Sequence, residues 1–182
     1  MRKLFSGLFI SVDGVVESPD KWQFDVFDQD MAQGMTRILA EIDTALLGRR
    51  TYEEWSQYWP NAGGDDDYAD FINNVPKYVV STTLDKVDWN NSHLIKGDLA
   101  KEIGKLKDQP GKTIGVQGSP TLVRSLMDQG LLDELMLMVH PVIAGTGKRL
   151  FEKESDVKRL KLADSQITGS GVAILTYQPK QG

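Results

Sequence analysis

No cysteine occurs among the 182 residues, which excludes disulfides, thiolate nucleophiles and cysteine-bound metal together. Histidine is nearly as scarce. His93 and His140 are the two present, and neither has the i, i+4 partner of a helical metal site, so no metal is expected. Basic residues are outnumbered, 21 Lys and Arg against 26 Asp and Glu, for a formal net charge of -5. That balance argues against a broad nucleic-acid surface, although a few local arginines can still hold one phosphate group. No apolar run reaches the length of a bilayer span, so no membrane partner is expected. The opening residues MRKLFSGLFISVDG are basic and then apolar, but Ser6, Gly7 and Ser11 interrupt the run. A signal peptide is therefore not expected, and the cytoplasm is the expected location.

What is present is the composition of an ordinary folded protein, 40% hydrophobic and 26% charged, with 17 Gly and 7 Pro. Its length bounds it to one domain, 1–182, with a single substantial core. The richest stretch is Thr113 to Phe151, TIGVQGSPTLVRSLMDQGLLDELMLMVHPVIAGTGKRLF, which reads as strand, turn, helix and strand. Residues 113–116 are short, apolar and β-branched. Gln117-Gly118-Ser119-Pro120 then supplies a flexible glycine, an N-cap and a proline at the first helical position. Leu122, Val123, Leu126, Met127 and Leu131 recur at helical spacing, with Gly130 at the helix end. A turn aimed at a helix N-terminus leaves backbone N–H groups free beside the positive end of the dipole, a setting that suits a phosphate, though an ordinary strand-to-helix turn has the same pattern.

The remaining chain gives strands at residues 2–12, 44–47, 77–81 and 93–95 and helices at 27–42 and 98–107, the last capped by Asp98. A short helix carrying Tyr52, Trp55 and Tyr58 follows Gly48-Arg49-Arg50-Thr51, a second strand-turn-helix junction. Residues 59–66 read as a loop and 68–72 as a short helix. Residues 157–167 and 172–177 alternate as an antiparallel pair around Gly169 and Gly171. Strands separated by helices, closed by a hairpin, predict an α/β sheet that is mainly parallel with antiparallel C-terminal strands.

The stretches LLGRRTYE, KYVVSTT, GVQGSPTL and GLLDELMLMVHPVIAGTGKRLF stand in the order and spacing of the dihydrofolate reductase-like superfamily. The chain most resembles the C-terminal reductase domain of the bifunctional riboflavin-biosynthesis deaminase-reductase, over nearly its whole length. That resemblance implies a mainly parallel central sheet flanked by helices and an NADPH-dependent reductase of a small heterocyclic substrate. The activity implied is akin to 5-amino-6-(5-phosphoribosylamino)uracil reductase. It also implies a homodimer, since the related reductases pair through the C-terminal region. The positions it assigns to NADPH are Gly48, Arg49, Arg50 and Thr51 at one helix start and Ser81 and Thr82 near the 2′-phosphate. Val116, Gln117, Gly118, Ser119, Pro120 and Thr121 match the pyrophosphate turn, and Phe9, Ile10 and Val16 the nicotinamide end.

Departures from the family narrow the substrate. Its paired glycines before the pyrophosphate helix are Gln117-Gly118 here. The threonine and arginine by which folate reductases hold folate match Met138 and Val75, so dihydrofolate is not the expected substrate. The basic residue that commonly follows the S-x-D-G turn in the riboflavin enzymes is replaced by Val15-Val16. A reductase also needs a proton source. Asp30 is the match to the carboxylate of folate reductases and the candidate catalytic acid, while Asp25, Asp28 and Asp30 together also suit a helix N-terminus without catalysis. Asp13 is an alternative acid or a turn former, and His140 before Pro141 reads as a strand-end histidine. Trp22, Trp55, Tyr58 and Trp59 read equally as walls for a flat ring or as core. A non-catalytic nucleotide- or flavin-binding protein on the same fold is the alternative reading, and a pure assembly protein a third.

Overall fold

The structure, a computed structural model, describes residues 1–62, 67–152 and 156–180. Its strands are β1 (Leu4–Ser11), β2 (Ile42–Gly48), β3 (Lys77–Val80), β4 (Ser92–Ile95), β5 (Thr113–Gly118), β6 (Glu134–His140), β7 (Leu160–Ile167) and β8 (Ala173–Pro179). They form one sheet in the order β4-β3-β2-β5-β1-β6-β8-β7. Every pairing from β4 across to β6 is parallel, and β8 runs antiparallel to both β6 and β7. This is the dihydrofolate reductase-like α/β architecture that the resemblance implies. The helices are α1 (Gln29–Ala40), α2 (Arg49–Tyr58), α3 (Asp67–Asn74), α4 (Leu99–Asp108) and α5 (Pro120–Asp128).

Register divides the core in two. Phe5, Gly115 and Ala45 are lateral neighbours, as are Ser6, Val116 and Leu46, and side chains alternate between faces along each strand. On the first face, Ala45, Leu47 and Val79 pack with Tyr52, Ile72, Val75 and Trp89. Met31 of α1 packs there with Met138, Phe9 and Val172. On the second face, Leu4, Leu46, Ile114 and Val116 pack with Ile103 and Leu106 of α4 and Leu122, Val123 and Leu126 of α5. Helices α1 to α3 therefore cover one face and α4 and α5 the other.

That division places the candidate ligand-binding edge. β1 and β5 are neighbours, yet the chain leaves β1 for α1 on one face and leaves β5 for α5 on the other. The divergence opens a crevice beyond the C-terminal ends of the parallel strands, where open α/β sheets bind ligands.

Element boundaries shift for local reasons. The helix expected at 27–42 spans Gln29–Ala40, because Asp28 caps it by accepting from the Met31 N–H at 3.0 Å. Phe24–Val26 ahead of it is a single 3-10 turn, and Ile42 already belongs to β2. β5 runs on to Gly118 rather than ending at Val116. β7 begins at Leu160 instead of 157. In the expected loop at 59–66, Trp59–Asn61 form a 3-10 turn, while 63–66 lie outside the described residues. Asp98 caps α4 as expected, accepting from the Lys101 N–H at 3.0 Å. Among the described residues no helix is long and apolar enough to cross a membrane.

Candidate functional site

Two helix N-termini meet at the crevice. Gly48 ends β2 and precedes α2, whose first turn has no side-chain cap. Ser119 precedes α5, with Pro120 in the first turn and the Ser119 hydroxyl accepting from the Leu122 N–H at 3.4 Å. A Cβ on Gly48 would stand 3.0 Å from Ser119 Oγ and 3.1 Å from Ser119 N. Gly118 holds φ +133, and a Cβ there would stand 2.9 Å from Thr51 Oγ1. Only glycine fits both positions without a shift. The peptide joining Gly118 to Ser119 is cis. First-turn N–H groups lack intrahelical partners, so the positive ends of two helix dipoles share one small volume, which suits a pyrophosphate.

The neighbouring side chains separate into engaged and free. Arg49 Nη1 donates to both carboxylate oxygens of Glu53, at 3.1 and 2.9 Å. Arg50 is exposed and, among the described residues, has neither a hydrogen bond nor an ion pair. Gly48 pairs with Val80 across β2 and β3, so Ser81 and Thr82 emerge beside the start of α2. Ser81 is buried and spends its hydroxyl accepting from the Thr83 and Leu84 N–H groups at 3.1 and 3.0 Å. Thr82 is the exposed hydroxyl of the two. On the α5 side, Val116 is core. Gln117 accepts from the Tyr68 hydroxyl at 3.0 Å, and Thr121 accepts from Arg124 at 3.3 Å.

The far half of the crevice, beyond β1 and β6, has another character. Phe9 is half-buried, edge-on to Phe27 and His140 with ring centroids 6.3 and 5.6 Å apart. Trp22 meets His140 edge-on, with ring centroids 5.5 Å apart. Ile10 and Val16, expected with Phe9 at the nicotinamide end, are core residues of the opposite cluster. His140 is fully buried at the end of β6. Its Nδ1 lies 2.9 Å from the Met138 carbonyl, so Nδ1 carries the proton and Nε2 is left as an acceptor. The aromatic wall weighed in the sequence reduces to Trp22, joined by Phe27, which the sequence reading did not single out. Trp55 and Trp59 pack with Tyr68 on the α2–α3 side, and Tyr58 is exposed.

The acids divide by role. Asp13 ties the turn after β1 to the 141–150 connection. It receives the Ser11 hydroxyl at 2.6 Å and the Ala144 and Gly145 N–H groups at 3.0 Å each, and Arg149 reaches it at 3.3 Å. The Ser11 hydroxyl, with those backbone donors, holds its carboxyl down at about 2. Asp28 also receives the Ser170 N–H at 2.8 Å, and the Met31 N–H together with Ser170 keeps its carboxyl below the usual range. Asp30 is exposed and accepts from the Gly169 N–H at 3.0 Å, so Asp30 and the cap residue Asp28 both grip the β7–β8 turn. Sequence spacing marks Asp28 as a helix cap, but nothing local could reveal a partner about 140 residues away.

An open cavity of about 700 Å³ lies elsewhere, lined by Tyr52, Pro60, Asn73, Asn74, Trp89 and Asn90 among others. Asn73 and Asn74 precede β3, and Trp89 and Asn90 precede β4, so it opens at the other end of the sheet.

With this geometry in place, the comparisons with known proteins are decisive on family. The RibD C-terminal domain model matches residues 2–174. The chain belongs to the RibD C-terminal domain family. It is 33% identical over 180 residues to the uncharacterized protein YyaP of Bacillus subtilis (strain 168), covering 97% of this chain and 94% of that one. YwjB of the same strain, also described as uncharacterized, is 26% identical over 176 residues, 95% of this chain and 96% of its own. Among solved structures, a putative riboflavin biosynthesis protein from Shewanella sp. PV-4 superposes with a TM-score of 0.80 at 18% identity, covering 98% of this chain and 99% of that one. The Thermotoga maritima diaminohydroxyphosphoribosylaminopyrimidine deaminase/5-amino-6-(5-phosphoribosylamino)uracil reductase gives 0.68 at 12% identity. There the match covers 98% of this chain and 57% of the longer, bifunctional one. These structures share the fold of this RibD C-terminal domain.

Proposed function

We propose that this RibD-type domain is an NADPH-dependent reductase of a small heterocyclic substrate, related to the reductases of riboflavin biosynthesis and working in the cytoplasm. The observation that carries the reading is the meeting of the two helix N-termini across Gly48 and Ser119, with Arg50, unpaired among the described residues, beside them. The residues fit the cofactor: the glycine surfaces allow close approach, first-turn N–H groups receive a pyrophosphate, and Arg50 and Thr82 stand where a 2′-phosphate would need a cation and a hydroxyl. NADPH supplies the hydride when bound. The chain's own tasks are to hold the substrate ring flat near Phe9 and to deliver a proton, for which Asp30 at the start of α1 is the proposed acid.

The exposure of Asp30 and its engagement with Gly169 favour a second reading, a nucleotide- or flavin-binding protein that keeps the groove without turnover. NADPH incubated with candidate pterins, pyrimidines and flavins, followed at the nicotinamide absorbance band, separates the two. Oxidation with any substrate supports the reductase, and cofactor binding with no oxidation across the panel supports the binding protein. A homodimer is part of the proposal, supported by the exposed edge strand β7, which leaves unpaired backbone groups for a second copy. Light scattering at micromolar concentration that returns the mass of one 20.3 kDa chain removes it.

A further inference from the structure

The two halves of the crevice carry opposite charge. On the β2–β5 side stand two helix N-termini and Arg50, all donors or cations. On the β1–β6 side, the segment from Asp13 to Asp30 holds six acids, Asp13, Glu17, Asp20, Asp25, Asp28 and Asp30, and one base, Lys21. The cation facing this segment from the 141–150 connection, Arg149, is committed to Asp13 through its side chain and to the Asp13 carbonyl at 2.9 Å. Lys148 is exposed on the same connection.

Two buried acceptors sharpen the picture. His140 Nε2, whose ring is edge-on to Trp22 and Phe9, is shut from solvent and has no donor among the described residues. Gln23, the residue after Trp22, is also buried, and its Oε1 likewise lacks a donor. A buried acceptor without a donor is costly. This half therefore combines aromatic surface with carboxylates, over two buried acceptors that have no donor among the described residues. A phosphate, which carries two negative charges and at neutral pH mainly accepts hydrogen bonds, is its chemical opposite. An amino-substituted ring, neutral or cationic, is its complement.

We infer that the substrate half of this crevice takes a flat, amino-bearing heterocycle that carries no phosphate, and that it discriminates against the phosphorylated form of the same ring. The inference rests on the cofactor reading for the other half but is tested apart from it. Matched pairs that differ by one phosphate, guanosine with its 5′-monophosphate and cytidine with its 5′-monophosphate, are titrated calorimetrically with and without saturating NADP+. The unphosphorylated member is expected to bind at least tenfold tighter in a pair that binds. The gap should narrow in high salt, because exposed charges are screened within about 8–10 Å at moderate ionic strength. Asp25→Lys, at an exposed position without a hydrogen-bond partner among the described residues, should narrow it further while NADPH affinity is unchanged. Equal or tighter binding of the phosphorylated member overturns the inference, and so does failure of every ring to bind to a protein that binds NADPH. Failure to bind NADPH, with the ring preference retained, counts against the cofactor reading alone.

Discussion

Arg49 and Arg50 are adjacent in sequence and identical in chemistry, yet the structure assigns them different work, and two alanine substitutions separate them. Arg49 closes an ion pair with Glu53 one turn along α2, through Nη1 alone. Exposed pairs of that spacing contribute about 0.3–0.5 kcal/mol. Arg50 has no acid to answer it among the described residues, and a cation in the first turn opposes the helix dipole by about 0.3–1 kcal/mol. Its position is therefore slightly unfavourable to the folded chain and favourable only to an anion. A charge-assisted hydrogen bond to a 2′-phosphate contributes about 1.5–3 kcal/mol. The exposure of Arg50 puts the expected value at the low end, about a tenfold preference for NADPH over NADH. Arg50→Ala should therefore lose about tenfold in NADPH affinity, leave NADH affinity unchanged, and melt no lower than the wild type. Arg49→Ala should change the NADPH to NADH ratio less than threefold. Titrations of both nucleotides by nicotinamide fluorescence at low salt make the comparison. Unchanged discrimination in Arg50→Ala, or a loss confined to Arg49→Ala, refutes the assignment.

Asp30→Asn should lower reductase turnover at least tenfold with little loss of NADPH affinity. An asparagine oxygen can still accept from Gly169, so the melting temperature should hold; normal turnover with a lower melting point would make Asp30 a tether and nothing more. Lys77 is completely buried, with Nζ donating to the Ile72, Val75 and Asn73 carbonyls at 2.8, 2.9 and 3.3 Å and lying 4.6 Å from the Trp89 ring centroid. Burial lowers its ammonium from 10.5 to about 8, so between those values the unfolded chain binds the extra proton and stability rises with pH. Wild type should gain on Lys77→Met across that window, by at most about 3 kcal/mol. Urea unfolding of both proteins at pH 7.5 and 9.5 measures it, and a constant difference contradicts it.

Much of the architecture is legible locally. The run from Thr113 to His140 announces strand, turn, helix and strand through β-branching, Gly118, Ser119-Pro120 and helical spacing, and β5, α5 and β6 follow it closely. Caps at Asp98 and Ser119 are equally local. What sequence spacing does not carry is contact between distant segments. The insertion of β5 between β1 and β2 decides which loops meet, and it sets Gly48 against Ser119. The grip of Asp28 and Asp30 on the β7–β8 turn spans about 140 residues and turns a row of acids into a tether. Lys77 reads as the polar start of a strand, and its burial follows only when Trp89 and the end of α3 close around it. The aromatic residues illustrate the same limit, because Trp22 and Trp55 have similar surroundings in sequence and pack at different sites. The difference between Arg49 and Arg50 is partly legible, since Glu53 stands four residues after Arg49.

The central claim is that the crevice between the starts of α2 and α5 holds the pyrophosphate of NADPH. A crystal structure with NADPH tests it most directly. The account predicts the pyrophosphate oxygens within hydrogen-bond distance of first-turn N–H groups of both helices, at Gly48–Thr51 and Ser119–Thr121, with the 2′-phosphate beside Arg50. A pyrophosphate seated anywhere else on the chain, or no bound nucleotide at saturating NADPH, would contradict it.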